Sequence, residues 1–359
     1  MALDRLTAWD RLDPSPGARR RTLGRLLGAD LARASHPSRV LWRLLTQGET
    51  VRAADTIGLV GAATLAAGVD AGLFVAFEVD GELFLRSTAS IVNAVLPAGE
   101  RVWVACDLPW ADVGDDHVPG PGNASQTLIA ALAPTRATLA ADVGTGCGFV
   151  ALHLSTLASS VVATDVNPRA LAFAELTAAL NGRTWDLRQG SFLAPISAAA
   201  VDLIVANPPF VLGTPDQRAV FRDGSPDLAV TLAGDIAAAL PPGGTGQYLG
   251  NWLYVGDSDP MPEILAAAGD ADCLVIERAA VDLPTYVDLW VAERGDPQHR
   301  RWVANLAATG ANAIGTGIVT VHRPPHGSAR RTGVVRLHER TDEALGPAIA
   351  AWLDSSDTP

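Results

Sequence analysis

Leucines and alanines recur at helical spacing over residues 16–34 and 37–47, and Pro37 is well placed to open the second stretch, so two short amphipathic helices are expected. Residues 73–78 and 82–87 are short apolar runs flanking Val79, Asp80 and Gly81, and an Asp-Gly pair in that position is a strong hairpin signal. Helices followed by a hairpin resemble a winged helix. Residues 101–106 (RVWVAC) read as a further strand, while 111–123 (ADVGDDHVPGPGN) is acidic and rich in Gly and Pro, the texture of a linker. Beyond it, apolar runs at 138–142, 161–165, 201–207, 247–255 and 273–277 alternate with helical stretches, which predicts a mostly parallel sheet covered on both faces. The segment 281–310, carrying Trp290 and Trp302, reads as inserted helices that roof or flank a pocket before 314–323 returns as a strand. A closing helix is expected over 341–353. The fold class is therefore α/β, with a small N-terminal α+β domain over 1–112 and the main domain over 113–359.

Composition narrows the classes. Of 359 residues 48% are hydrophobic and 18% charged, enough apolar surface to offset chain entropy and exclude disorder as the main state. The one stretch of membrane-spanning length, 57–77, carries Asp70 and glycines at 58, 61, 68 and 72, so it reads as helix, turn and strand, and no membrane partner is expected. The net charge of -12 argues against a surface given over to phosphate backbones. All 27 basic residues are arginines, which removes Schiff-base lysines and the phosphate-loop lysine. Cys106, Cys147 and Cys273 are far apart with no CxxC pair, suggesting neither a disulfide framework nor a thiolate metal site, so no metal is expected. The first thirty residues have no apolar core of signal-peptide length, and a cytoplasmic location is expected.

The most informative stretch is 137–154 (ATLAADVGTGCGFVALHL): a strand ending at Asp142, glycines at 144, 146 and 148, then an apolar helix. Such a turn lets backbone pass close beneath a ligand at the strand's carboxyl end. The GxGxG spacing fails the dinucleotide pattern, because residue 149 is Phe, and the Walker pattern fails for want of lysine. Asp165 ends the next strand 23 residues after Asp142, with Asn167 and Pro168 opening a helix, and an acid there can accept both hydroxyls of a ribose. The third element is VDLIVANPPF (201–210), a hydrophobic strand ending in Asn207, Pro208, Pro209 and Phe210.

In this order and at these spacings, DVGTGCG, TDVNPRAL and ANPPF closely resemble the class I S-adenosylmethionine-dependent methyltransferases of the amino-methylating branch, in which NPP precedes an aromatic residue. That branch includes release-factor glutamine methyltransferases and enzymes acting on exocyclic amines of ribosomal RNA bases or on adenine in DNA. The resemblance covers about 115–323 and implies a Rossmann-like, seven-stranded domain that uses S-adenosylmethionine. It places Asp142, Gly144, Thr145, Gly146, Gly148, Asp165, Val166, Ser191, Phe192 and Asn207 around the cofactor. Ser191 stands where such enzymes commonly have an Asp toward the adenine amine, so adenine recognition would rest on Phe192 and backbone groups. Residues 117–128 resemble the loop over the cofactor's methionine end, with Pro121, Gly122, Asn123 and Ser125 as lining candidates.

The NPPF tetrapeptide has its own physical logic. Two prolines fix φ and remove donors, so the Asn207 side-chain oxygen and the Pro208 carbonyl can both accept from one planar NH2 group while Phe210 stacks on it. Catalysis is then mainly positioning, with Asn207, Pro208 and Phe210 as the catalytic residues and Pro209, Phe210, Arg222, Asn123 and Ser125 toward the acceptor. The expected acceptor is an amide or amine of a peptide, protein or small molecule, with an RNA base amine as runner-up. Between residues 1 and 35, seven arginines against four aspartates would give such an RNA a local basic face, and a solvated helix explains them equally well. An O-methyltransferase using His117 as base and a non-catalytic cofactor-binding module are the other readings; a homodimer stays open.

Overall fold

The computed structural model describes residues 38–108, 114–196, 200–212, 224–290, 297–325, 329–337 and 345–355. The expected helix over 16–34, the arginines of that region and the candidate Arg222 lie outside the described residues. The chain divides into two compact units. The first gathers the described residues through Gly122 with Gly146–Leu152 and Asn167–Trp185; the second gathers Asn123–Thr145, His153–Val166 and the described residues from Asp186 onward.

In the first unit, the strands are β1 (Val51–Arg52), β2 (Phe74–Val79), β3 (Glu82–Ser87), β4 (Ser90–Val95) and β5 (Arg101–Cys106). Residues 57–77 are not one helix: Ala53–Val60 and Ala62–Asp70 bend by 112° at Gly61, and the chain then enters β2. No single helix among the described residues is long and apolar enough to cross a membrane. β2 and β3 form the expected hairpin, with Asp80 and Gly81 both at positive φ (52° and 79°), the requirement of a tight turn that matches strand twist. Phe77 and Phe84 are cross-strand partners whose rings stack at 6.1 Å. β1, β3 and β2 make one antiparallel sheet, and β4 and β5 make a separate pair.

The second edge of β5 is closed by a helix instead of a strand. The Trp103 N–H donates to Asn181 Oδ1 at 3.0 Å, the Trp103 carbonyl accepts from Asn181 Nδ2 at 2.7 Å, and the Ala105 N–H donates to Thr177 Oγ1 at 3.0 Å. Side chains of the segment containing helix Pro168–Leu180 thus satisfy backbone groups that an edge strand leaves open, which is why this helix groups with the first unit. Asp107, its side chain wholly buried, pairs with Arg169 and also accepts the Val118 N–H at 2.8 Å.

The second unit is built on one sheet: β6 (Ala137–Val143), β7 (Ala158–Asp165), β8 (Asp186–Gln189), β9 (Leu203–Ala206), β10 (Thr245–Val255), β11 (Asp272–Asp282), β12 (Ala311–His322) and β13 (Thr332–Arg336). The order is β13-β11-β12-β10-β9-β6-β7-β8. β12 is antiparallel to both its neighbours, and the remaining pairs are parallel. Seven of these strands form the expected Rossmann-like arrangement, and β13 adds an eighth at the β11 edge. Alternation along β11 explains the layering: Cys273 and Val275 pack with the helices Leu228–Ala239 and Met261–Ala267, whereas Leu274 and Ile276 pack with Ile349 and Leu353 of the closing helix Leu345–Asp354. Helix Leu228–Ala239 buries Ala229, Leu232, Ala233, Ile236 and Ala237, one face at helical period.

Strand order reverses between β6 and β9. In such sheets, ligands bind outside the carboxyl ends of the strands at that reversal. Val143 of β6 and Ala206 of β9 are register partners, so the chain leaves the sheet at Gly144 and at Asn207 side by side.

Candidate functional site

Asp142, 1% exposed, is the last residue but one of β6 and accepts the Thr145 hydroxyl at 2.7 Å, while the Gly144 and Thr145 N–H groups both donate to the Thr164 carbonyl of β7 at 2.9 and 2.8 Å. These bonds fold the turn back on the sheet. Gly144 has φ +74°, where any side chain is strained, and a Cβ there would meet no atom within 4 Å, so the surface above it is open to close approach. Gly146 and Gly148 continue the loop at φ +52° and +81° within the first unit. There Gly148 has a packing duty: a Cβ would come within 2.7 Å of Trp185 and 3.2 Å of the Ala174 backbone.

Asp165 closes β7 half-buried, its carbonyl accepting the Gly190 N–H at 3.0 Å, and the next residue, Val166, is an exposed apolar side chain. Ser191 is exposed, and Phe192 is half-buried with φ +45°, a left-handed conformation that is strained for an aromatic residue. An open glycine turn, a carboxylate and an exposed apolar side chain at adjoining strand ends fit a ligand with a ribose and a flat base. The residues present therefore suit S-adenosylmethionine.

On the β9 side, Asn207 Nδ2 donates to Ser125 Oγ at 2.9 Å, which uses the amide's donor end and leaves Oδ1 as acceptor. Ser125 sits in the first turn of helix Asn123–Ala131, and Gln247 of β10 locks the helix's far end by accepting from the Ala133 N–H and donating to the Ala131 carbonyl. Asn123 opens the helix and is exposed. The Pro208 carbonyl accepts the Phe210 N–H at 2.7 Å, a three-residue turn that engages one lone pair and leaves the second. Gly224 passes so close to the loop that a Cβ would lie 2.7 Å from the Phe210 carbonyl carbon and 2.8 Å from the Pro209 oxygen.

Residues that the motifs do not mark hold the loop's exit. The Leu212 N–H donates to the Tyr286 hydroxyl at 3.0 Å, Asn251 Nδ2 donates to the same hydroxyl at 2.8 Å, and Trp302 Nε1 donates to the Leu212 carbonyl at 2.8 Å. Burial pushes the Tyr286 phenol up to about 12, so it stays protonated at neutral pH. The expected insertion is two helices, Leu283–Asp288 and Pro297–Ala308, the first capped by Asp282 accepting the Thr285 N–H. Tyr286, Trp302, Val211 and Leu212 share one apolar cluster, against which Phe210 and Trp290 pack. Trp252 of β10 is 2% exposed and donates to Glu277 at 2.8 Å. His117 lies in the first unit, half-buried.

Residues 120–223 match the methyltransferase small domain family. The release factor glutamine methyltransferase of Deinococcus radiodurans is 38% identical over 117 residues, 29% of this chain and 42% of that protein. The ribosomal protein L11 methyltransferase of Lactobacillus delbrueckii subsp. bulgaricus is 43% identical over 95 residues, 24% of this chain and 30% of that protein. The chain thus spans less than half the length of either relative. A solved 16S rRNA methyltransferase from T. thermophilus, in complex with AdoMet and guanosine, aligns with TM-score 0.40 and 16% identity over 76% of this chain and 63% of that one. The match to the methyltransferase small domain family takes in β6, β7, β8 and β9, the strands whose ends carry the glycine turn, Asp165 and Asn207.

Proposed function

We propose that the protein transfers a methyl group from S-adenosylmethionine to a planar amide or amine nitrogen of a peptide, protein or small molecule. The observation that supports this best is the tethered amide of Asn207: with Nδ2 held by Ser125, Oδ1 is the group left to accept an N–H, one residue past a strand in register with the glycine-loop strand. The second lone pair of the Pro208 carbonyl takes the other N–H of the same NH2 group, and the Phe210 ring stacks on its plane. Asp165 receives the ribose hydroxyls, Val166 and Phe192 flank the adenine, and Gly144 gives the remainder a close backbone approach. When bound, S-adenosylmethionine supplies a methyl group on a positively charged sulfur. The residues contribute orientation above all, and the acceptor's proton leaves to water.

Named relatives acting on a release factor glutamine and on a ribosomal protein favour a protein acceptor. Cys106, Cys147 and Cys273 are buried thiols outside any disulfide, which suits a reducing compartment such as the cytoplasm.

A labelled-methyl transfer assay on extract separated into RNA, protein and metabolite fractions tests the reading. Label is expected in protein or metabolites, and Asn207→Ala is expected to lower transfer by about 10²-fold or more with S-adenosylmethionine affinity kept. Unchanged transfer by Asn207→Ala overturns the amine slot. Label confined to RNA replaces the acceptor class with a base amine.

A further inference from the structure

The strand end that carries Asn207 is short, since β9 has four residues, and residues 207–212 leave the sheet without entering a helix. Something else has to fix where Pro208, Pro209 and Phe210 point. Leu212 meets that need: both of its backbone polar groups are taken by side chains far away in sequence, its N–H by Tyr286 and its carbonyl by Trp302, at separations of 74 and 90 residues. The Tyr286 hydroxyl is itself held by Asn251 of β10, a strand of the central sheet. On the opposite side Gly224 donates its N–H to the Val211 carbonyl at 3.1 Å and touches the Pro209 and Phe210 backbone. Tyr286 is 0% and Trp302 1% exposed, so neither bond is exchanged for water at no cost.

We propose that Tyr286 and Trp302 are positioning residues for the acceptor slot: as a two-sided clamp on Leu212 they hold the Asn207–Phe210 turn in its working pose, which makes the inserted helices part of the catalytic machinery. The proposal rests on the acceptor-slot reading above. It acts through Leu212, two residues past Phe210, on the β9 side of the strand-order reversal and not through the turn at Gly144. Loss of the clamp therefore leaves S-adenosylmethionine affinity intact and lowers the rate of transfer.

Tyr286→Phe keeps the ring and removes the hydroxyl; Trp302→Phe removes the other bond and serves as the independent variant should the first fail to fold. Three readouts are taken on the full chain: S-adenosylmethionine affinity by calorimetry, backbone hydrogen exchange of the peptide spanning 207–212, and labelled-methyl transfer to whichever extract fraction the wild type labels. The expected result is exchange at 207–212 faster by about tenfold or more, transfer lower by about tenfold or more, and cofactor affinity within about twofold of wild type. Unaltered exchange at 207–212 in both variants overturns the clamp. Faster exchange with unaltered transfer overturns its role in the reaction. Should the wild type label no fraction at all, the acceptor-slot reading fails, and exchange at 207–212 still decides whether the clamp exists.

Discussion

At the β6–β7 side of the strand-order reversal the chain is shaped almost wholly by its own backbone. Gly144 and Thr145 fold onto the Thr164 carbonyl, Asp142 holds Thr145 three residues away, and Asp165 simply ends its strand. At the β9 side the local Pro208–Phe210 bond is joined by ties from far along the chain: Ser125 reaches Asn207 across 82 residues, and Tyr286 and Trp302 reach Leu212 across 74 and 90. One half of the site is a motif, and the other is an assembly of side chains from separate parts of the fold. Under the proposed function the first half receives the cofactor and the second the methyl acceptor.

Mutations separate the two halves. The largest effect is expected from Asn207→Ala, a loss of transfer by about 10²-fold or more with cofactor affinity within about threefold of wild type, read by transfer assay and calorimetry. Next, Asp165→Ala is expected to weaken S-adenosylmethionine binding by about 10- to 100-fold, the worth of hydrogen bonds to a charged acceptor, while leaving the exchange rate of 207–212 unaltered. If Asp165→Ala loosens that peptide, the two halves are not independent. Ser125→Ala frees the Asn207 amide to rotate and is expected to lower transfer by roughly threefold to tenfold, because one neutral hydrogen bond is lost and the amide still samples its working orientation.

The smallest effect at neutral pH concerns His153, in the helix Phe149–Leu157 that follows the glycine turn. Burial lowers its pKa to about 4, and its Nδ1 makes no hydrogen bond among the described residues. The unfolded chain, with an ordinary histidine value near 6.5, binds the proton more readily, so stability is full above about pH 6.5 and falls as the pH drops toward 4. His153→Phe is expected to flatten that part of the Tm profile, and an unchanged slope would assign the acid sensitivity to other groups.

Legibility in the sequence follows the same division. The hairpin at Asp80 and Gly81, the glycine turn, Asp165 and the NPPF loop are each written in consecutive residues, because a positive φ or a fixed proline leaves few alternatives. The eighth strand was not foreseen: Thr332–Arg336 is five residues with little alternation, and it becomes a strand by pairing with β11. The grouping of helix Pro168–Leu180 with the N-terminal strands was also hidden, since it depends on Thr177 and Asn181 meeting β5. For the clamp a faint signal existed. The chain has only three tyrosines, and one within an apolar inserted helix needs a partner for its hydroxyl. The identity of that partner could not be read.

The sequence by itself determined the class of fold, the glycine turn after β6 and the side chains of the NPPF turn after β9, because local backbone geometry and short-range spacing specify them. Only the tertiary structure decided which way that turn is held, since Ser125 meets Asn207, Tyr286 and Trp302 meet Leu212 and Asn251 meets Tyr286 through contacts whose sequence separations carry no periodic trace. Burial then makes those contacts strict: a backbone N–H or carbonyl removed from water must find a partner, and the fold determines which one is within reach.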